Sequence, residues 1–565
     1  MKQEEFLDLY NAMPSDNWNA RTVTLDYLNK DLISLHEVLT NFSDQIYHDY
    51  DVQVTNSLTI SGLALEIYLR KYHKNNIPLI NRKGIFEDIK KSYYGGITEV
   101  YIPTNRNNEE LYYYDVNSLY PYASLNPMPG LESTYEKDIN RVLDLTNDYC
   151  KELFGFFYCT VEANDNYLGL LPHKKDGSII CPKGTWEGWY FSEEIKFASA
   201  NGYKIFLKKG HHFNKEANVF DKYVKDLYYK KSNSTDPSEI AVSKSLLNNL
   251  IGRFGLSIDK DITEIFDVET LNDLMQTKRI KSYKNIGSSD QYLVSYNNNV
   301  DLEICEYSGV DYINAYVENL KTKSRSKSKI SSSDDTYRNV SIVISSAVNS
   351  YARIYMQTIK LEILKRGDLI YYTDTDSLIT NKVFDDKLIG GQLGQFKLVD
   401  TITKLYAISG KSYAYTRIVK DDDINKKDEV IIKFKGISSK SVDFDNIRDL
   451  YYNKDIKATR FESNVNYVEG FTEIKKSTPI ELSHDMYKKR SKIYDNKGLW
   501  IDTSPVDASE VNSSPTDQWS RNTKSDLVNQ TNLSKQPSIF QSNVLLKFIM
   551  CSTSLIAKQW QSKNP

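Results

Sequence analysis

A chain of 565 residues is long enough for roughly two to four domains with a substantial core, and 40% apolar against 26% charged residues excludes a wholly disordered or fibrous protein. A formal net charge of −3 gives no overall attraction to a polyanion but leaves room for one groove lined by Lys and Arg, so it neither supports nor excludes a nucleic-acid substrate. Five cysteines without a C-x-x-C and seven histidines without ligand spacing beside them exclude a zinc site or disulfide framework and fit a reducing compartment.

The first ten residues, MKQEEFLDLY, are acidic and carry no signal or transit peptide. From Thr22 to Phe42, Leu25, Leu28, Leu32, Leu35, Val38 and Leu39 recur at helical spacing. Tyr27 and Asp31 lie four apart on that helix and meet on one face, which by itself is an ordinary surface pair. A second helical segment, Leu58 to His73, leads to a linker through Pro78 and Gly84. Next comes Ser92-Tyr93-Tyr94-Gly95-Gly96-Ile97, a paired-glycine turn before a strand from Thr98 to Ile102.

Leu111 to Tyr114 is an aromatic β-run that delivers Asp115 to its end; Val116 to Tyr120 read as a turn, and Pro121 is expected to stop the local structure. A carboxylate at a strand end suits a rigidly held metal ligand, and Tyr120 would either pack in the core or floor a pocket beside it. Residues 126–214 read as an inserted α+β subdomain with strand-like pieces at Phe156 to Val161 and Tyr203 to Leu207. Phe220 to Lys231 is an amphipathic helix ending in lysines.

In Ser243 to Gly255, Lys244, Asn248 and Gly252 fall at i, i+4 and i+8, one line along a helix whose buried stripe is Leu246, Leu247, Leu250 and Ile251. A lysine, an amide and a bare backbone patch in line suit phosphate pairing, a polar contact and close approach of a flat ligand. An ordinary amphipathic helix with a glycine end cap fits the same residues. Residues 257–340 include the basic run Lys321 to Lys329, read either as a solvated charge run or as a loop riding on phosphates. Val340 to Lys365 is a long helix with Arg353 on a largely apolar surface.

That helix leads into two short β-runs, Leu369 to Tyr372 and Leu378 to Thr380, joined by Asp374-Thr375-Asp376. Two carboxylates one residue apart at the tip of an apolar hairpin repel unless a cation sits between them, and hard oxygen ligands favour Mg²⁺. Standing alone, such a tip would read as a solvated turn. Ser409-Gly410-Lys411-Ser412-Tyr413 is no phosphate loop, because the position for that motif's first glycine holds Leu405. Residues 501–565 read as a low-complexity, disordered tail. No apolar run reaches spanning length; Val544 to Ala557 comes nearest and is interrupted by Lys547 and Ser552, so no membrane partner is expected.

Taken together, these stretches resemble the family B DNA polymerases, in particular the protein-primed branch of mitochondrial linear plasmids and some bacteriophages. Asp115-Val116-Asn117-Ser118-Leu119-Tyr120-Pro121 is similar to motif A, Lys244, Asn248 and Gly252 to motif B, and Asp374-Thr375-Asp376-Ser377 to motif C. Lys411-Ser412-Tyr413 is similar to the K-x-Y motif near the thumb, and Tyr93-Tyr94-Gly95-Gly96 to the Y-x-G-G motif between exonuclease and polymerase domains. Five motifs in this order across about 320 residues are specific where each alone is weak.

The resemblance implies an α+β right-hand polymerase of palm, fingers and thumb in residues 103–500, with insertions at about 126–214 and 257–340. A partial exonuclease-like domain in 1–90 and a linker in 91–102 would precede it. It implies a DNA-directed DNA polymerase that adds dNTPs to the 3′-hydroxyl of primer-template DNA by nucleotidyl transfer with two Mg²⁺ ions, or Mn²⁺ in their place. Asp115 and Asp376 would be the bridging metal ligands, and Asp374 would hold the ligand surroundings or the primer end. Lys244, with Lys230 or Lys231, would neutralise the triphosphate. Tyr120 would lie under the sugar and reject a 2′-hydroxyl, Asn248 and Gly252 would border the nascent base pair, and Lys411 and Tyr413 would grip the primer.

A terminal priming protein, a linear plasmid as the replicated element and a mitochondrial location follow from the resemblance alone. Tyr27 and Asp31 look like the third exonuclease motif, but the 26 residues before Tyr27 contain neither of the other carboxylate motifs that a proofreading site needs. This predicts a chain that does not proofread, a fragment of a longer reading frame, with a decayed or read-through end. The alternatives are a decayed remnant that at most binds DNA, and a metal-dependent nuclease or phosphohydrolase using the same aspartates. The motif B helix argues against the latter, which has no use for a grip on a triphosphate.

Overall fold

The computed structural model describes residues 19–74, 76–80, 82–175, 177–256, 261–286, 290–315, 317–319, 341–418, 428–437, 441–467 and 471–512. Lys321 to Lys329 and Val544 to Ala557 lie outside them. Among the described residues no helix is long and apolar enough to cross a membrane. The chain divides into two compact units, Met1–His73 and Lys74–Pro565.

In the first unit the helix α1 spans Ala20–Tyr50, longer than its apolar repeat predicts. The Asn19 side chain accepts from the Thr22 amide at its start, and Asp51, at φ 54°, closes it. The repeat does not mark a buried stripe, because Leu25, Leu28 and Leu32 are all about half exposed. The boundary expected at residue 90 falls at 73 instead. The cause is a helix that the linker reading missed, Lys83–Lys91, whose Phe86 and Ile89 are buried and whose neighbours bond into the second unit: Ser92 Oγ to Ser346 Oγ at 2.9 Å and Asp88 to His211 at 3.1 Å.

The second unit is organised on a seven-stranded antiparallel sheet. Its strands are β1 (Thr98–Val100), β2 (Leu111–Val116), β3 (Ile370–Asp374), β4 (Ser377–Thr380), β5 (Phe396–Ser409), β6 (Ser412–Ile418) and β7 (Asp428–Lys433), in the order β1-β3-β4-β2-β5-β6-β7. Tyr, Ile and Leu fill these strands, and Tyr114, Tyr371, Tyr372, Leu378 and Ile379 are essentially inaccessible. Pro121 does not stop the structure after β2. It sits in the first turn of the short helix Leu119–Ala123, where a missing N–H removes no helical bond.

Three helices then matter: α2 (Asp221–Asn233), α3 (Pro237–Phe254) and α4 (Ile342–Lys365). α2 and α3 pack as a pair, with Leu227, Leu246, Leu247 and Leu250 buried, and α3 also packs on α4. Each region expected as an insertion has its own sheet. Met128–Glu136, Arg141–Val142, Gly155–Ala163, Gly184–Phe191 and Lys204–Glu216 form one, and Asp261–Asp267, Lys278–Asn285 and Gln291–Val300 the other.

The expected tail begins too early. Trp500–Pro505 is a strand paired with Arg490–Tyr494, and Ala508–Asn512 is a helix. Polar composition hides how this stretch is held: Trp500 and Thr503 are buried, Thr503 Oγ1 donates to Tyr101 O at 3.0 Å, and Arg490 Nε donates to Thr503 Oγ1 at 2.8 Å. Residues 513–565 lie outside the described residues.

Candidate active site

β4 lies between β3 and β2, and this arrangement brings together acids 259 positions apart. Ser377 stands opposite Asp115 in the β4–β2 register and opposite Asp374 in the β3–β4 register. The Val116 amide donates to Asp376 O at 2.9 Å, fastening the hairpin tip to β2. The tip is backed from the other side by the paired-glycine segment. Thr375, at φ 61° in a conformation that β-branched residues avoid, donates its amide to Ile97 O at 2.9 Å. A Cβ at Gly96 would come within 2.5 Å of the Thr375 side chain, so only glycine lets the two backbones approach.

The carboxylates have different partners. Burial first, and then the charges of Asp115 and Asp374, push the Asp376 carboxyl up to about 6. Asp115 pairs with Lys397 of β5 at 2.9 Å, its direct cross-strand neighbour. Asp374 pairs with Lys411 at 2.7 Å and accepts from Thr98 Oγ1 at 2.9 Å. Among the described residues no group of three or more Asp, Glu, His or Cys side chains is arranged to hold a metal ion. Asp374 is held by both Lys411 and Thr98, whereas Asp115 meets the half-exposed Lys397 and Asp376 is the carboxyl whose charge burial makes costly, so Asp115 and Asp376 are the candidate ligands. That donor set fits Mg²⁺, which binds through one or two carboxylates and completes its shell with water and substrate phosphates. A cation between the two would relieve the cost that burial and the Asp115 charge place on ionised Asp376.

Across from these acids, Lys231 Nζ lies 3.3 Å from Ser118 Oγ in the turn after β2, where Ser118 adopts φ 55°. Burial, then the charges of Lys244 and Lys397, hold Lys231 below the usual lysine range. Lys230 instead lies 3.9 Å from Glu239. Lys244, Asn248 and Gly252 do form one exposed line on α3, and a Cβ at Gly252 would meet open space. Tyr120 is largely buried beside the tip. Burial first pushes its hydroxyl up to about 12, Arg353 opposes the rise, and Asp376, Tyr93 and Asp374 add to it.

Other expected residues sit further back. Tyr93 and Gly95 belong to the backing segment, whose carbonyls Tyr94 O and Gly95 O both accept from Arg353 Nη1. Arg353 is buried and ion-paired with buried Glu194 at 2.7 Å. Tyr413 is only 6% exposed and packs on Tyr372, whose hydroxyl accepts from the Lys411 amide at 2.8 Å. Tyr413 therefore supports Lys411 from beneath. Tyr27 and Asp31 are both exposed on α1 in the first unit. Sequence reasoning missed Lys397, Thr98 and Glu194. Each acts through a register or a fold-back with no periodicity to betray it.

Residues 2–359 match the family described as DNA polymerase type B, organellar and viral. A probable DNA polymerase of Podospora anserina is 45% identical over 501 residues, covering 88% of this chain and 40% of that protein. One from Neurospora intermedia is 30% identical over 449 residues, covering 77% and 42%. The chain thus spans about two fifths of the length of these relatives. Among solved structures, phi29 DNA polymerase complexed with primer-template DNA superposes with a TM-score of 0.52 at 15% identity, over 77% of this chain and 69% of that one. At that identity the likeness establishes the fold, that of a right-hand polymerase.

Proposed function

The chain belongs to the organellar and viral type B DNA polymerases, and from that premise we propose that it is a DNA-directed DNA polymerase that adds dNTPs to a 3′-hydroxyl on primer-template DNA. The observation that carries this reading is that Asp376, in the turn of the acidic hairpin, stands within reach of the Asp115 charge at the end of β2, with Lys231 and Lys244 grouped on α2 and α3, which we read as the fingers beside a palm formed by the seven-stranded sheet. Carboxylates alone would suit a hydrolase. Carboxylates opposite two lysines suit an enzyme that keeps hold of a triphosphate.

In the reaction the primer 3′-hydroxyl gives its proton to solvent, its oxygen bonds to the α-phosphorus, the bond from that phosphorus to the bridging oxygen breaks, and pyrophosphate leaves with that bond's electron pair. Asp115 and Asp376 would hold Mg²⁺, which would supply activation of the attacking hydroxyl and stabilisation of the leaving charge. Lys231 and Lys244 neutralise the triphosphate and orient it along α2 and α3. Tyr120, largely buried within reach of the Asp376 charge, would lie under the sugar and exclude a 2′-hydroxyl. Lys411, ion-paired with Asp374, would reach the primer backbone, and Thr98 donates to Asp374 from β1.

Priming by a terminal protein, replication of a linear plasmid and a mitochondrial location are part of the same proposal. They are supported by the motif resemblance and by the organellar and viral description of the family. The test is extension of a primed template with Mg²⁺ and dNTPs, beside Asp115→Ala and Asp376→Ala. Extension that both substitutions abolish supports the polymerase. A folded wild type that binds template and never extends it is a remnant.

A further inference from the structure

The cations expected at the triphosphate all lie on α2 and α3, yet the palm contributes one of its own. Lys397 stands directly opposite Asp115 in the β5–β2 register, so both side chains leave the sheet on one face. Its ammonium is 2.9 Å from Asp115 Oδ1, while the side chain remains 55% exposed. Lys397 and Lys244 both raise the cost of charge on Lys231, so ammonium groups from β5, α2 and α3 share one field around Lys231, which itself lies 3.3 Å from Ser118 Oγ. An anion among these ammonium groups would relieve the cost that they place on Lys231.

We propose that Lys397 is the palm's own triphosphate-binding residue, resting on Asp115 while no nucleotide is bound and passing to the phosphate oxygens once Asp115 takes up a divalent cation. The flexible four-carbon stem lets the ammonium transfer without movement of β5, and a compact point charge suits a phosphate oxygen. The inference rests on the polymerase reading above.

The test uses the full chain on a primer-template ended with a dideoxynucleotide, titrated at equilibrium with the complementary dNTP, for wild type, Lys397→Met, Lys397→Arg and Lys231→Met. Lys397→Met should weaken dNTP binding about tenfold, as loss of a charge-assisted phosphate contact does, and raise KM on an extendable primer to match. Lys397→Arg should stay within about threefold of wild type, and binding of the DNA itself should not change. Because Asp115 loses its resting partner, Mn²⁺ followed by electron paramagnetic resonance should bind DNA-free Lys397→Met about two- to fivefold more tightly than wild type. Wild-type dNTP affinity in Lys397→Met, with binding lost in Lys231→Met, overturns the proposal. So does unchanged Mn²⁺ binding. If the wild type binds no dNTP at all, the polymerase reading fails and takes this inference with it.

Discussion

Asp376→Asn should make the metal-free protein more stable and the enzyme inactive. The folded state holds the Asp376 carboxyl at about 6, against an ordinary value of 3.8, because burial and the Asp115 charge disfavour its ionised form. At 1.36 kcal/mol per tenfold, that gap is worth about 3 kcal/mol, and about 2 kcal/mol once screening of a partly exposed carboxyl is allowed for. The sign follows from the direction. A carboxyl raised on folding costs nothing below the unfolded value near 4, and its penalty grows as pH rises through about 6. Thermal unfolding of wild type and Asp376→Asn in EDTA should therefore converge near pH 4. By pH 8 the two should separate by a few degrees, with the variant higher. Mg²⁺ should raise the wild-type midpoint at pH 8 and leave the variant nearly unmoved. A variant that melts at or below wild type at pH 8 without metal, or a gap that does not depend on pH, would refute the strained pair.

Two further outcomes follow from the backing of the hairpin tip. Glu194→Leu alone leaves the buried Arg353 without its counter-charge and should cost about 3–5 kcal/mol in denaturant unfolding, much of it recovered in Glu194→Leu/Arg353→Met. Equal losses in the single and double variants would show that the pair is not coupled. Gly96→Ala drives a Cβ into Thr375 and should lower kcat at least about tenfold through displaced aspartates, with little change in dNTP KM. Thr375→Gly, which also suits φ 61°, should restore much of that loss in the double variant; no rescue would place the damage elsewhere.

The sequence by itself determined the elements with a strong local code. β2, the acidic hairpin, and helices α2, α3 and α4 fall within a few residues of where alternation and helical spacing put them. The candidate residues Asp115, Asp376, Lys244 and Lys231 were legible because an acid at an aromatic strand's end, or a lysine above a leucine stripe, is unusual in itself. Local pattern failed where polar residues fold back on the sheet. Trp500–Pro505 has the composition of a tail, yet Arg490 and the Tyr101 carbonyl hold it in the core. The apolar repeat of α1 ran the other way, periodic but exposed.

Tertiary structure alone decided which groups share charge. Lys397 faces Asp115 because β5 pairs with β2 in one register, and a shift of one residue would send its side chain to the other face. Thr98 and Lys411 take Asp374, and Arg353 reaches Tyr94 and Gly95 across 259 and 258 positions, because a sheet brings distant strands within hydrogen-bond range. Spacing along a chain encodes the face a side chain occupies. It does not encode the partner that the face will meet.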